Sequence, residues 1–422
     1  MTIRALRRDG LDTLLADPAV SHVLSVLKGD GEETRIVGGS VRDALLGQVG
    51  ADIDLATTLL PQDVMRRATA ASLKAIPTGI EHGTVTILAD GRAFEVTTLR
   101  EDVETDGRHA VVRFGRDFAR DAERRDFTIN ALSLSRDGVL HDTTGGEADL
   151  HGGRVRFIGD AATRIREDAL RILRFFRFHA RYGIGAPDKD GLRAATDAGT
   201  ALDGLSRERV RSELLKLLDA PGVIAAVLEM RKAGLLSRII GTEGYLDRLE
   251  RALSASANDA SPLEPVARLA TLAVDSNADA ERLRWALRLS NEEHACLQAY
   301  AAARRAIERL PVIAATDVVR LVATQDLESL GLAIAVLDDH YKKLIDPEAR
   351  SVLQQFIDGN RSVPVFPLSG SDLVAAGIPP GRSVGQGLAA GRSLWLKRGC
   401  QSGQEERALL LDHAVTIARS KA

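Results

Sequence analysis

Residues 36–54, IVGGSVRDALLGQVGADID, constrain this chain more than any other stretch. Ile36 and Val37 predict the end of a buried strand. Gly38 and Gly39 then permit a tight turn and a close approach of backbone to a ligand. Ser40 suits the cap of a following helix, VRDALL, and Gly47 suits its end. A strand, a glycine turn and a helix N-terminus in succession form a natural phosphate site. Asp52 and Asp54 follow at positions i and i+2, which on a strand project to one face. Two carboxylates side by side repel unless a cation lies between them. Mg²⁺ commonly takes one or two carboxylates together with substrate phosphates. Taken alone, a D-x-D pair reads equally well as a solvated pair beside an ordinary turn, and a GG turn is no more specific.

The rest of the chain arranges itself around that stretch. Residues 3–29 read as a short amphipathic helical lead-in. From 35 to 150, strand-like and helix-like pieces alternate. HGTVTIL and AFEVTTL, at 82–88 and 93–99, predict paired strands around the turn ADG, with Glu95 in the second. Residues 100–123 are polar and predict a mobile loop. DTTGGEADL at 142–150 predicts a glycine-broken hinge. From about residue 160 apolar positions recur at spacings of three and four, the pattern of amphipathic helices. SVPVFPLSG at 362–370, with two prolines, predicts a linker before a final helical piece.

Composition removes several function classes. The chain has 422 residues, enough for two or more domains, and 27% of them are charged with a net charge of −3. That balance excludes an overall basic coat for nucleic acid but permits local basic patches. Aromatic residues are only 4% of the chain, so stacking platforms for single strands are scarce. Two distant cysteines, Cys296 and Cys400, argue against a disulfide framework and a zinc site. No apolar run is long enough to span a bilayer. The reading is a cytoplasmic protein with no membrane partner and an oligomeric state that the sequence leaves open.

Two further stretches carry chemistry. Arg124-Arg125-Asp126-Phe127-Thr128-Ile129-Asn130-Ala131 places two arginines beside an apolar strand. A guanidinium fork matches phosphate oxygens, so the pair suits a triphosphate, although a bare RRD is equally a surface ion-pair cluster. Further on, Asp168, Arg171, Arg174 and Arg177 step by three and predict one drifting stripe on a helix. Its plain alternative is an exposed, salt-bridged helix face. Residues 108–181 hold fifteen arginines, no lysine and eleven acids, concentrating positive charge here in a net-negative chain.

GGxVRDxLLG with D-x-D, EVTTLR after HGTVT, RRDFTINA, EDALR followed by LRFFRF, and SRERVRSELLKLL together resemble the polymerase-beta-like nucleotidyltransferases. Within them, the resemblance is to the branch of class II CCA-adding enzymes and bacterial poly(A) polymerases. It is strong over residues 35–218, patchy over 219–360, and moderate over LSGSDLVAAGIPPGRSVGQGL and Trp395. It implies an α+β fold: a small N-terminal nucleotidyltransferase head with a mixed sheet over 1–155, then an all-helical neck (156–222), body (223–361) and tail (362–422). Asp52 and Asp54 would hold Mg²⁺. Glu95 would be the third catalytic carboxylate, binding metal or accepting the proton of the attacking hydroxyl. Gly39, Arg42 and Arg125 would bind the incoming nucleotide, Asp168 and Arg171 would read its base, and Arg174 and Arg177 would help hold it.

The implied activity is template-independent addition of CCA to a tRNA 3′ end from CTP and ATP. Cytosine and adenine both present an amino donor beside a ring acceptor, and guanine and uracil present the reverse. An Asp that only accepts and an Arg that only donates would match the first two alone. A poly(A) polymerase, a partial CC- or A-adding enzyme and an inactive RNA-binding relative are the alternatives. The near-neutral tail favours CCA addition over a poly(A) polymerase, the intact Asp52, Asp54 and Arg125 favour an active enzyme over an inactive relative, and the intact DGRHA-containing loop favours the complete activity.

Overall fold

The computed structural model describes residues 4–48, 50, 52–105, 110–257, 262–337 and 345–420. They form two compact units, Met1–Arg238 and Ile239–Ala422. The division falls inside the expected body (223–361), with the residues expected as head and neck in the first unit and those expected as tail in the second.

The first unit is built on a seven-stranded sheet in the order β3-β4-β5-β2-β1-β8-β9. Its strands are β1 (Thr34–Val37), β2 (Ile53–Thr57), β3 (Lys74–Gly79), β4 (Thr84–Ala89), β5 (Arg92–Thr98), β8 (Ser133–Ser135) and β9 (Leu140–His141). Only β2 and β5 run parallel, so the sheet is mixed, as expected. The ADG turn joins β4 to β5, with Asp90 and Gly91 both at positive φ (51° and 75°). That is the turn whose twist matches a hairpin. Alternation sets the faces of the central strands. Ile53, Leu55, Phe94 and Val96 are buried, whereas Asp54 and Glu95 are exposed.

One expectation is refined and two are corrected. The helical lead-in is two helices, Arg8–Ala16 and Pro18–Val26, because Asp17 caps the second and Pro18 begins it. Residues 100–123 are not one polar loop. Arg100–Thr105 (β6) and Ala110–Phe114 (β7) pair as an antiparallel ribbon, and Phe118–Glu123 is helical. The β-branched residues of DVET and AVVRF outweigh the polar count. Residues 106–109, at the centre of the expected mobile loop, lie outside the described residues.

The second correction concerns DTTGGEADL, which is a clamp and not a hinge. The Asp142 carboxylate accepts from the N–H groups of Thr144, Gly145, Gly146 and Glu147 at 2.9–3.1 Å. A Cβ on Gly146 would stand 2.2 Å from the Thr128 carbonyl oxygen, so only glycine lets this helix start touch RRDFTINA.

An aromatic cluster continues the core from the sheet into the helices that follow. Phe127 lies 4.8 Å from Phe157 and 5.2 Å from Phe178 between ring centroids, and Phe157 stacks on Phe175 at 5.6 Å. The sheet and the helices that follow it thus share one buried aromatic seam within the first unit.

The second unit is helical among the described residues. Ser276 with Asp279 and Ser290 with Glu293 form capping boxes, and Pro265 and Pro347 open their helices. No described helix is long and apolar enough to cross a membrane.

Candidate active site

The site gathers around Asp54. In the parallel pair β2–β5, Asp54 is the register partner of Glu95, so two exposed carboxylates stand side by side. Asp52 lies just before β2 and is exposed on the same side. Burial of part of Asp54 pushes its carboxyl above the usual aspartate range. The negative charges of Glu95 and Asp52 push in the same direction, and Arg125 partly opposes them. Like charges assembled and only partly compensated define a place for a cation.

Arg125 reaches this cluster from the other side. Its Nη2 lies 3.2 Å from Asp121, and its Nη1 donates to the Asn130 carbonyl at 3.3 Å. A Cβ on Gly38 would meet Nη1 at 2.9 Å, and Gly38 has φ +72°. Gly38 therefore supplies both the backbone turn and the room for the guanidinium. The helix after it is Gly39–Leu45, beginning two residues earlier than expected, with Gly38 and not Ser40 at its cap position. Ser40 sits inside it and donates to the Asp52 carbonyl at 3.0 Å, tying the glycine turn to the start of D-x-D.

Arg42 has a different place from the one expected. It is 6% exposed, its fork is bonded to Asp43 and the Asn130 side chain, and it lies over the Tyr182 ring at 4.2 Å. It braces the glycine-turn helix against helix Arg171–Tyr182, each of its three nitrogens bonded within the protein.

The arginine stripe is also rearranged. Asp168 is not on the same helix as the arginines; it lies extended at the break between Ala161–Glu167 and Arg171–Tyr182. One of its oxygens accepts from the Leu170 N–H at 3.0 Å, and the other pairs with Arg209 at 2.7 Å. Arg171 pairs instead with Glu167 at 2.5 Å and donates to the Arg164 carbonyl. Arg174 holds the buried Asp126 at 2.5 Å, and Arg177 stands 2.6 Å from the buried Glu213. Burial alone would raise Asp126, but Arg174, the Asn130 amide and the Phe127 N–H outweigh it and hold the carboxyl low.

Sequence reasoning missed these partners. Asp126 and Asn130 were visible only as fixed letters of a motif, and Asp121, Arg209 and Glu213 carried no signal beyond ordinary helix-surface charge.

The donor set fits a hard divalent cation, since oxygen ligands with excess negative charge face open space. Among the described residues no three His, Cys, Asp or Glu side chains already converge as a complete cage. Two carboxylates completed by substrate phosphates and water need no such cage.

The family described as Poly A polymerase head domain matches residues 34–156, and the one described as Probable RNA and SrmB- binding site of polymerase A matches residues 187–240. CCA tRNA nucleotidyltransferase 1, mitochondrial, of Danio rerio is 34% identical over 412 residues, covering 95% of this chain and 92% of its own length. Its compartment leaves the cytoplasmic reading without support from the comparison. A crystal structure of the Bacillus stearothermophilus CCA-adding enzyme in complex with CTP matches with a TM-score of 0.69 at 25% identity. It covers 98% of this chain and 99% of that one. The fold is shared as well with a Thermotoga maritima CCA-adding enzyme complexed with tRNA, at a TM-score of 0.68 and 21% identity over 99% of both chains. Such nucleotidyltransferases generally use divalent metals. With a relative of this identity spanning nearly the whole chain, and with D-x-D, RRDFTINA and the glycine turn meeting at one site, the chain belongs to the CCA-adding tRNA nucleotidyltransferase family.

Proposed function

We propose that this protein builds or repairs the 3′-terminal CCA of tRNA from CTP and ATP, without a nucleic-acid template. The observation that carries the reading is the meeting of Asp54, Glu95 and Arg125 beside the glycine turn, on a chain related end to end to CCA tRNA nucleotidyltransferases. In each cycle the oxygen of the RNA 3′-hydroxyl forms a bond to the α-phosphorus. The bond from that phosphorus to the bridging oxygen breaks, and pyrophosphate leaves. Glu95 accepts the hydroxyl proton. Arg125 holds the triphosphate, with the Gly38–Gly39 backbone close to the phosphates. Mg²⁺ bound by Asp52 and Asp54 would neutralise charge on the reacting phosphates.

For base selection we assign Asp168 and Arg171 to reading the base edge. Both flank the break between two helices and are partly exposed there, and reading a base requires Asp168 to exchange its pair with Arg209, and Arg171 its pair with Glu167, for the base edge. Arg174 and Arg177 act from behind, through Asp126 and Glu213, and position this wall of the site.

The test is incubation with tRNA lacking CCA and labelled CTP or ATP. The expected products carry two C residues, then one A, then stop. Long A tracts from ATP alone would assign a poly(A) polymerase, the reading that the head-domain description favours. No incorporation at all would overturn the enzymatic reading.

A further inference from the structure

The two tryptophans of this chain have opposite surroundings. Trp395 is 1% exposed, donates to the Gln401 carbonyl at 2.9 Å and packs on Phe366 at 5.5 Å. Trp285, on helix Asn277–Leu287, is 76% exposed. The core side of that helix is complete without it, since Ala280, Leu283 and Leu287 are fully buried. An indole left in water on a rigid helix forfeits the burial that favours tryptophan in a fold.

Its neighbours indicate what covers it. The Arg284 guanidinium lies 6.0 Å from the indole centroid and has no carboxylate partner among the described residues. Nearby charges are already committed. Arg282 pairs with Asp279 at 2.7 Å, and Glu281 is engaged by His294 and Gln298, each at 3.0 Å. The remaining exposed side chain along this stretch of the helix is the charged Arg288, not an apolar one. A flat aromatic surface beside an uncompensated guanidinium matches one nucleotide: a base for the ring and a phosphate for the fork.

We propose that Trp285 and Arg284 form a nucleotide-stacking contact for bound RNA in the second unit, the base lying on the indole and the phosphate on the guanidinium. This rests on the tRNA reading above and adds a contact made without base-pair recognition, since every base offers a ring face.

The test titrates labelled tRNA lacking CCA into wild type, W285F, W285A and R284A. Anisotropy reports binding, and tryptophan emission reports the indole. Wild-type emission is expected to be quenched as RNA binds, whereas W285F keeps only the signal of buried Trp395 and does not respond. W285A should bind about tenfold more weakly. R284A should lower the slope of log affinity against log salt by about one. If RNA binds with unchanged emission and W285A binds as tightly as wild type, the contact is overturned and the tRNA reading stands. An emission change that follows protein concentration without RNA, together with a doubled sedimentation mass, overturns it by assigning the face to a second copy. If wild type binds no tRNA, the reading beneath it falls as well.

Discussion

The carboxylate face of the sheet and the arginine stripe of the neck look alike in sequence, as clusters of charge in motifs, but their chemistry differs. On β2 and β5 the charges have one sign and no ion-pair partner, so Asp54 is driven above its ordinary range first by its partial burial and then by the acids beside it. Along helix Arg171–Tyr182 every motif arginine already has an acid: Glu167 for Arg171, Asp126 for Arg174 and Glu213 for Arg177. Uncompensated charge stores the means to bind something else, and compensated charge holds the fold. A count of fifteen arginines therefore overstates the positive field near the site, because partner acids cancel much of it at short range.

The comparison breaks most severely at Arg174. Arg174→Met leaves Asp126 buried and unpaired, and urea unfolding should show a loss of about 3–5 kcal/mol. Asp126 is held low in the fold, so its contribution is present above the unfolded pKa and is lost as pH falls through the folded one. Adding Asp126→Asn to that variant should restore part of the loss.

Asp54→Ala should have the opposite profile: an intact circular dichroism spectrum with nucleotide incorporation down on the order of 10²-fold or more. Near-normal turnover would remove Asp54 from the metal site. Its raised pKa makes the sign of two further effects definite. Folding favours the protonated form, so that stabilisation is present at low pH and is lost as pH rises through the folded pKa. Asp54→Asn should accordingly raise Tm while abolishing activity. Cation binding needs the ionised form, so wild-type turnover should fall on acidification from a pH above the ordinary aspartate range. Glu95→Gln should move Asp54 titration, followed by NMR, to lower pH.

Asp168→Ala sharpens the contrast from between the two regions. One charge-assisted hydrogen bond is worth about 1.5–3 kcal/mol, so discrimination against UTP and GTP should relax roughly ten- to hundredfold. Unchanged fidelity would reduce Asp168 to a partner of Arg209. The smallest effect belongs to Arg209→Ala. Its pair with Asp168 is solvent-exposed, and the stability loss should stay below about 1 kcal/mol in thermal unfolding.

Much of this protein is local enough to be read from the chain itself. Alternation in AFEVTTL and the spacing of D-x-D place Glu95 and Asp54 on exposed faces of their strands, because a strand's side-chain period does not depend on what packs against it. The glycine turn is legible because only glycine tolerates its φ and leaves room for a neighbour. Three- and four-residue spacing likewise announces the helices after residue 160. Tertiary structure alone decides that β2 and β5 run side by side, so that Asp54 faces Glu95 across forty residues of chain. It also breaks the expected arginine helix at Asp168, turns Arg42 inward, and pairs Asp168 with Arg209. A charged side chain's spacing tells which face it occupies. Whether that charge is free or already answered depends on residues distant in sequence, brought within a few ångströms by packing.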